Sequence, residues 1–523
     1  MRVRSRYANP DVKHSRWVPL RSRSSVMTFA VVIAANALLG QPASPSIPKT
    51  WTDQAITTLE VPSPDPRYTP VHVGSDYYYR IPVRPIYRTY PRYRPGKEPP
   101  GYMEWLKGRE PEIVFDPSKL KTEADWIKAG ELVFHYPVDL SPSLPGIQDD
   151  VVTRSGDLFG KDDISPFVSF VVRKKGVVEF GAASCADCHS RVMPDGSILV
   201  GAQGNRPVDR IIGVGIQVQH EKAGSARDRQ AALESNRTVW HQEFSTPWVR
   251  EGPQARILKM SLVEMAAMHE TIPPGVLARQ RASILYPPAI PDLIGVKDIR
   301  YLDRSGLIRH RDIGDLMRYA ALNQGADLLA SFGGFVPLGT DNRRAPDPAT
   351  QERYSDEQLY ALALYVYSLK PPQNPNRFDA IAANGQRIFQ RQGCSICHPP
   401  PLYTNNKLTP AIGFNIPEEH LTRFDILPIS VGTDPGLTLL TRRGTGYYKV
   451  PSLRGVWYRG PFEHNGSVAT LEDWFDASRL KDDYVPTGFR GQFAKTRAIK
   501  GHEYGLNLAL QDKHALIAFL KSL

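Results

Sequence analysis

The chain has 523 residues, and its 65 Lys and Arg against 54 Asp and Glu give a formal net charge of +11 at pH 7. Residues 1–25 contain seven of the basic residues and one Asp, so only +5 of that charge belongs to the remainder, which excludes a charge-driven nucleic-acid-binding protein. All four cysteines lie in two short motifs, which leaves none for a structural disulfide.

The N-terminal segment has the pattern of an export signal. After the basic stretch, residues 26–40 (VMTFAVVIAANALLG) are apolar apart from Thr28 and Asn36, and the small residues of QPASPS follow. This run is short for a membrane-spanning helix. We therefore predict a signal peptide, or a retained N-terminal anchor, over residues 1–45. Either one makes the protein periplasmic or secreted, with membrane contact only through that segment.

Residues 46–110 are rich in proline and tyrosine, as in DYYYRIPVRPIYRTYPRYRPGKEPPGY (76–102). Neither the helical period of 3.6 nor the strand period of 2 continues through this stretch. We predict an extended, polyproline-like arm whose rings pack across a neighbouring domain.

From residue 111 onward the sequence is that of a globular protein with helices and loops. Apolar spacing predicts helices at 122–134, 257–269, 312–322, 356–369, 378–391 and 509–522. Strand signals are few, so the predicted fold class is mainly α with much irregular structure. PPQNPN (371–376) separates two of these helices and marks the best domain boundary.

The cysteine motifs are CADCH, from Cys185 to His189, and CSICH, from Cys394 to His398. C-x-x-C-H is the attachment site of c-type haem, because two thiols bond the porphyrin and the adjacent histidine binds its iron. A four-thiolate structural zinc site is the rival, although these pairs lie 209 positions apart, and a redox dithiol does not require the histidine. The motifs predict two covalently bound c-type haems. Their attachment residues are Cys185, Cys188, Cys394 and Cys397, and their proximal iron ligands are His189 and His398.

The two halves of the chain resemble each other. GELVF (130–134) parallels GQRIF (385–389), and IPDLIGV (290–296) parallels VPSLRGV (450–456) at an offset of 160 residues. Each half also closes on a helix with spaced apolar residues. We predict two tandem cytochrome c-like haem domains, at 111–372 and 377–523, the first enlarged by long irregular inserts.

The stretch KVPSLRGVWYRGPFEHNGSVATLEDWF (449–475) after the second motif carries a family resemblance. It is similar to the "VPSLRNV…YFHDGS…TLEE" stretch of the bacterial di-haem cytochrome c peroxidase and MauG superfamily. The long gap between the haem motifs and His-Asn-Gly-Ser at 464–467 look more like its rubber-oxygenase (RoxA-type) branch. The resemblance implies one haem open to an oxidant and a second, six-coordinate haem for electron transfer. It also allows one calcium ion between the domains.

The second domain cannot supply a methionine as the sixth ligand of its own haem, because the last methionine in the chain is Met317. The position that supplies Met or Tyr in the peroxidases and MauG-like enzymes is Ser478 here. The rubber-oxygenase pattern implies a bis-histidine haem, and His464 is the candidate distal ligand. Alternatively, His464 hydrogen-bonds a haem propionate or caps the Asn465-Gly466 turn.

At the offset of 160, Arg304 corresponds to His464. A permanently protonated guanidinium does not ligate iron, so the first haem is predicted to be open. Arg304 would then stabilise bound oxygen or a departing hydroxide, or pair with a propionate. The histidines that could instead close the first haem are His220, His241, His269 and His310. Trp240 and Trp248 fall where the family often has an aromatic residue between its haems.

These features predict an exported di-haem oxidoreductase. The first haem (His189) would react with peroxide or O2, and the second (His398 with His464) would relay electrons from a donor such as a small redox protein. Asn205 stands where the short peroxidases have a distal histidine, which weakens a standard peroxidase assignment. One alternative is a haem dioxygenase that cleaves an alkene, as in the rubber oxygenases. The other is a non-enzymatic electron-transfer cytochrome with both haems closed.

Overall fold

The computed structural model describes residues 45–143, 145–155, 159–249, 259–278 and 283–523. The predicted signal segment or anchor therefore lies outside the described residues, apart from Pro45. In the described ranges, no helix combines the length and apolar character needed to cross a membrane.

Helices make up the larger share of the regular structure. In chain order they are α1 (Asp53–Thr57), α2 (Ser75–Arg80), α3 (Tyr102–Lys107), α4 (Glu123–His135), α5 (Pro145–Ser155), α6 (Cys185–Cys188), α7 (Val208–Lys222), α8 (Ala226–Phe244), α9 (Leu262–Glu270), α10 (Ile313–Asn323), α11 (Asp356–Ser368), α12 (Ala380–Arg391), α13 (Glu418–Arg423), α14 (Gly436–Leu439), α15 (Leu471–Trp474) and α16 (Leu510–Lys521). Each of the six predicted helices is present with ends shifted by a few residues. The long helices α7 and α8 were not predicted.

Among the described residues, the strands form one four-stranded antiparallel sheet and three two-stranded ones. They are β1 (Thr89–Tyr93), β2 (Asp139–Pro142), β3 (Ile164–Lys174), β4 (Val177–Ala182), β5 (Ser190–Val192), β6 (Ile198–Val200), β7 (Tyr301–Leu302), β8 (Ile308–Arg309), β9 (Leu408–Pro410) and β10 (Tyr447–Lys449). The larger sheet has the order β1-β3-β4-β2. Among the described residues helix is more abundant than strand, so the predicted mainly-α class is confirmed only in part, and there is more strand structure than the sequence predicted.

The Pro/Tyr-rich segment 46–110 is less extended than predicted, since it contains α1 to α3 and the edge strand β1. Its rings do pack closely. Trp51 is fully buried and stacks on Tyr78 at a centroid distance of 4.7 Å, and its indole N–H donates to the Val73 carbonyl at 2.8 Å. Pairing of β1 with β3 joins this segment to the four-stranded sheet. Residues 46–523 together form one compact unit.

Two pairs of helices cross at the same kind of close contact, in which a glycine of one helix packs against the backbone of the other. In the pair α4 and α11, a Cβ on Gly130 would overlap the carbonyl oxygen of Ala361 and lie 2.8 Å from the Tyr365 Cβ. In the pair α12 and α16, a Cβ on Gly385 would overlap the Ala515 carbonyl oxygen and lie 2.8 Å from the Phe519 Cβ. Glycine permits both approaches because it has no side chain. The duplication found in the sequence therefore extends to packing.

Residues at the N-termini of these helices cap them through side-chain hydrogen bonds. Thr122 and Asp125 form a capping box at the start of α4, Ser355 and Gln358 form one at α11, and the Asp379 side chain caps α12. Such caps satisfy the first backbone N–H groups of each helix. The division of the chain at 371–376 stays a prediction, because residues 46–523 form one unit.

Candidate functional site

The second motif follows directly from α12. Gly393, at φ 73°, ends that helix, and Cys394–Ile396 form a single 3-10 turn. The His398 imidazole is buried, and its Nδ1 donates to the Tyr403 carbonyl at 3.0 Å. The Pro451 carbonyl accepts a further hydrogen bond from this ring, and burial lowers the pKa of His398 to about 4. The ring is therefore neutral, and its Nε2 is the nitrogen available for a metal.

His398 opens into a cavity of about 260 Å³ that both cysteines of the motif also line. Most of the wall is apolar, from α12, α16 and the loops between them. Its principal apolar side chains are Phe389, Leu453, Val456, Phe475, Leu516 and Leu520. Such a wall suits a flat, largely apolar ligand.

Three cationic side chains, Arg304, Lys449 and Arg459, complete one part of this wall. Burial and the neighbouring charge of Arg304 lower the pKa of Lys449 to about 8, and burial lowers that of Arg304 to about 10. The Arg459 Nε is buried without a hydrogen-bond partner, and its nearest carboxylate oxygen is Asp292 Oδ2 at 3.8 Å. Buried cations are unfavourable unless they are paired, so this part of the wall is suited to carboxylates. Two thiols, an imidazole, apolar walls and a cationic end together fit a c-type haem with its two propionates.

A second imidazole, that of His502, faces His398 inside the cavity. The ring centroids are 6.5 Å apart and the planes are inclined at 58°. Metal–imidazole bonds of roughly 2 Å on both sides of one ion place two ring centroids roughly 6 Å apart. His502 is half-buried, and its Nδ1 is buried without a hydrogen-bond partner. His398 and His502 are thus spaced to ligate one iron from opposite faces.

His464, the ligand predicted from sequence, lines the same cavity but is engaged elsewhere. Its Nδ1 donates to Glu463 Oε2 at 2.9 Å, and its Nε2 lies 3.7 Å from Asp434 Oδ2. Both nitrogens therefore face carboxylates, whereas His502 occupies the position opposite His398. No motif surrounds His502 in the sequence. It has a φ of 48°, an uncommon backbone conformation for this residue type that only the structure reveals.

The first motif repeats the anchoring of the second. Cys185–Cys188 form α6, capped by the Ser184 side chain. The His189 Nδ1 donates to the Pro291 carbonyl at 3.1 Å, and burial lowers the pKa of His189 to about 4. Pro291 and Pro451 are the residues that match at the offset of 160. The histidine of each motif is therefore held through Nδ1 by a backbone carbonyl, that of Pro291 for His189 and that of Tyr403 for His398, with the Pro451 carbonyl as a further neighbour of the His398 ring.

Among the predicted site residues, Arg304 lies farthest from expectation, because it was predicted to lie near the first haem. It lines the second cavity, and its guanidinium donates to the carbonyls of Ala289 at 2.8 Å and Ile290 at 3.0 Å. It therefore approaches His189 from the Nδ1 side, away from the face where the first iron would bind an oxidant. The cause is the packing of the β7–β8 hairpin on the second half, where Lys449 N–H donates to the Arg304 carbonyl and Ser305 Oγ donates to the Arg443 carbonyl.

The other histidines considered for the first haem fall into two groups. His310 uses both nitrogens, with Nδ1 donating to the Ile299 carbonyl and Nε2 accepting from the Tyr367 hydroxyl, each at 2.6 Å. His269 and His241 each use Nδ1, bonded to Asp209 at 2.8 Å and to Ser245 at 2.9 Å, and bury an Nε2 without a partner. His220 likewise buries an Nδ1 without a hydrogen-bond partner, so of these four histidines only His310 would have to break a hydrogen bond to supply a ligand.

The two tryptophans considered as a bridge between haems lie in separate aromatic clusters. Trp240 packs edge-on against Phe244 and His269, and Trp248 stacks between Tyr68 and Phe332. Neither belongs to the wall of the second cavity. No group of three His, Cys, Asp or Glu side chains suited to a metal ion occurs within the described ranges, so calcium binding stays a prediction.

Comparisons with known proteins gave distant similarities. No family model matches the chain. A stretch of 210 residues, 37% of the chain, is 28% identical to the cytochrome-c peroxidase IdrP1 of Pseudomonas sp. (strain SCT), and it spans 51% of that protein. The chain thus covers about half the length of this relative.

Two solved structures show a partial likeness. One is hydrazine synthase of Kuenenia stuttgartiensis, with a TM-score of 0.29, 15% identity and coverage of 59% of this chain and 92% of that one. The other is a MauG-like protein associated with microbial copper homeostasis, with a TM-score of 0.29, 15% identity and coverage of 58% and 90%.

Proposed function

We propose that this chain is an exported di-haem c-type oxidoreductase. One haem is attached to Cys185 and Cys188 and reacts with peroxide or O2. The other is attached to Cys394 and Cys397 and relays electrons, for which a small redox protein is a suitable donor. The local similarity to a protein named cytochrome-c peroxidase supports the oxidoreductase class. Export follows from the N-terminal pattern and from the attachment of c-type haem outside the bacterial cytoplasm.

The observation that carries the proposal is the shared anchoring of His189 and His398. The His189 Nδ1–H donates to the Pro291 carbonyl and the His398 Nδ1–H donates to the Tyr403 carbonyl, while the Pro451 carbonyl, the repeat equivalent of Pro291, is a further acceptor beside the His398 ring. Metal-bound histidines commonly donate their other ring N–H to such an acceptor, which fixes the tautomer and the ring orientation. A zinc site built from four thiolates gives no reason for this arrangement to occur twice.

The residues of the second site perform defined tasks. His398 and His502 would occupy both faces of the iron and keep substrate away from it. Arg304, Lys449 and Arg459 would neutralise carboxylates, and the apolar wall would exclude water. A c-type haem bound there supplies one-electron transfer, with a potential set by its axial ligands and surroundings.

The first site is proposed to stay open to a small oxidant. Among the described residues, His189 has no ring partner of the kind that His502 provides for His398. Its Nδ1 bond to Pro291 holds the ring and increases the electron density on Nε2. The rubber-oxygenase branch and its alkene cleavage remain predictions about this same site.

The test is to count and classify the haems of the purified, exported protein. The pyridine haemochrome assay is expected to give two haems per chain and one in the Cys394→Ala/Cys397→Ala variant. Ferric EPR is expected to show one high-spin and one low-spin signal, and hydrogen peroxide should abolish the high-spin one. Two low-spin signals that peroxide does not change would overturn the proposal in favour of an electron carrier, and a haem-free protein that binds zinc would overturn it altogether.

A further inference from the structure

Residues 289–291 form a short backbone segment that lies between the two candidate haem sites. Their three successive carbonyls all accept hydrogen bonds from side chains. The Ala289 and Ile290 carbonyls accept from Arg304, and the Pro291 carbonyl accepts from His189. The segment is also held through its own N–H groups, since Ala289 donates to the His464 carbonyl at 2.8 Å. Any displacement of this segment therefore reaches His189 directly.

Arg304 contacts both the 289–291 segment and the second cavity. Its Nε and Nη2 hold the two carbonyls, while the side chain lines the cavity that contains His398 and His502. Its Nη1 is the nitrogen left for a carboxylate in that cavity. A planar guanidinium with fixed donors suits this double contact, because a ligand that orients one nitrogen orients all three.

We propose that Arg304 is a positioning residue that couples the two haem sites. A carboxylate of the group bound in the second cavity fixes the guanidinium, the guanidinium fixes the carbonyls of Ala289 and Ile290, and these set the geometry of the Pro291–His189 hydrogen bond. The strength of that bond controls how strongly the His189 Nε2 donates to iron. The inference rests on the proposed function, because it requires haem at both motifs.

Another cation of the same wall provides a matched control. Lys449 lines the cavity, but its Nζ donates to the Tyr301 carbonyl at 3.4 Å and not to a carbonyl of residues 289–291. Arg304→Lys keeps the positive charge but cannot donate to both carbonyls in the same geometry. Lys449→Arg also keeps the positive charge and changes only the side chain that carries it. The pair therefore separates an effect of hydrogen-bond geometry from an effect of charge.

The experiment measures the reduction potential of each haem by spectroelectrochemistry in the wild type, Arg304→Lys and Lys449→Arg. We expect Arg304→Lys to shift the first haem to a higher potential, because a weaker Nδ1–H bond makes His189 a weaker donor. Lys449→Arg should leave the first haem unchanged. An unchanged first haem in Arg304→Lys, or an equal shift in both variants, overturns the inference.

A second comparison keeps the inference testable if Arg304→Lys folds poorly with both haems present. The Cys394→Ala/Cys397→Ala background lacks the second haem and therefore the haem carboxylate that would orient Arg304. Introducing Arg304→Gln there should shift the first haem less than the same change does in the two-haem protein. Equal shifts in the two backgrounds overturn the coupling. A pyridine haemochrome result below two haems in the wild type would instead count against the proposed function.

Discussion

The imidazole of His502 lies opposite that of His398, with ring centroids 6.5 Å apart, in the cavity that Cys394 and Cys397 also line. His464 lines the same cavity, but its Nδ1 donates to Glu463. The two histidines therefore have different expected roles, one as an axial ligand and one as part of the wall.

Replacing His502 by Ala should convert the second haem from low spin to high spin, because one axial ligand is lost. His464→Ala is the matched control and should keep the low-spin signal. Ferric EPR distinguishes the two variants, and added imidazole should restore the low-spin signal of His502→Ala. Loss of the low-spin signal in His464→Ala, with His502→Ala unaffected, would assign the ligand as the sequence first predicted.

The helix crossings at Gly130 and Gly385 predict a stability effect that is independent of haem chemistry. Alanine at either position would force its Cβ into a backbone carbonyl, so Gly130→Ala and Gly385→Ala should each lower the free energy of unfolding by about 3 kcal/mol or more. Gly215 in α7 has no atom within 4 Å of an added Cβ. Gly215→Ala should therefore stabilise by up to about 1 kcal/mol. Thermal unfolding measures all three, and equal effects would contradict this view of the crossings.

The sequence predicted those features that depend on neighbouring residues in the chain. The helices near 123–135, 356–368 and 380–391 follow from apolar spacing and capping residues, and the anchoring of both motifs follows from their adjacent histidines. The offset of 160 also matched Pro291 with Pro451, and the structure places each of these carbonyls beside the histidine of its own motif.

What the sequence could not predict depends on contacts between distant segments. Arg304 reaches the second cavity because its hairpin packs on the other half of the chain. His502 faces His398 although 104 residues separate them, and its neighbours in sequence carry no motif. Strand β3 pairs with β4 along one edge and with β1 along the other, and β1 comes from a segment whose proline content predicted an extended arm.

His310 should not serve as a haem ligand, because both of its ring nitrogens are already bonded. We expect His310→Phe to leave the ferric EPR and optical spectra of both haems unchanged while lowering the free energy of unfolding by about 1–3 kcal/mol, since the Ile299 carbonyl and the Tyr367 hydroxyl lose their partner. Conversion of a low-spin signal to high spin in this variant would show that His310 moves to close the first haem.

The charge of Lys449 in the second cavity should make the free energy of unfolding depend on pH. Burial and the charge of Arg304 lower its pKa from 10.5 to about 8, although Asp303 and Asp292 act in the opposite direction. Without an anionic occupant, the unfolded chain binds more protons than the folded chain between pH 8 and 10.5. The free energy of unfolding should therefore rise with pH across this window, and the buried charge should cost about 3 kcal/mol below pH 8.

Lys449→Met tests this charge in two forms of the protein. In a chain that lacks the second haem through Cys394→Ala/Cys397→Ala, the substitution should stabilise by about 3 kcal/mol below pH 8, and the gain should vanish towards pH 10.5. With the haem attached, its carboxylates would pair with Lys449, so the same substitution should be neutral or destabilising. Urea unfolding at several pH values measures both. An equal stabilisation in the two forms would mean that no carboxylate lies near Lys449, and the haem orientation inferred from the three cations would be wrong.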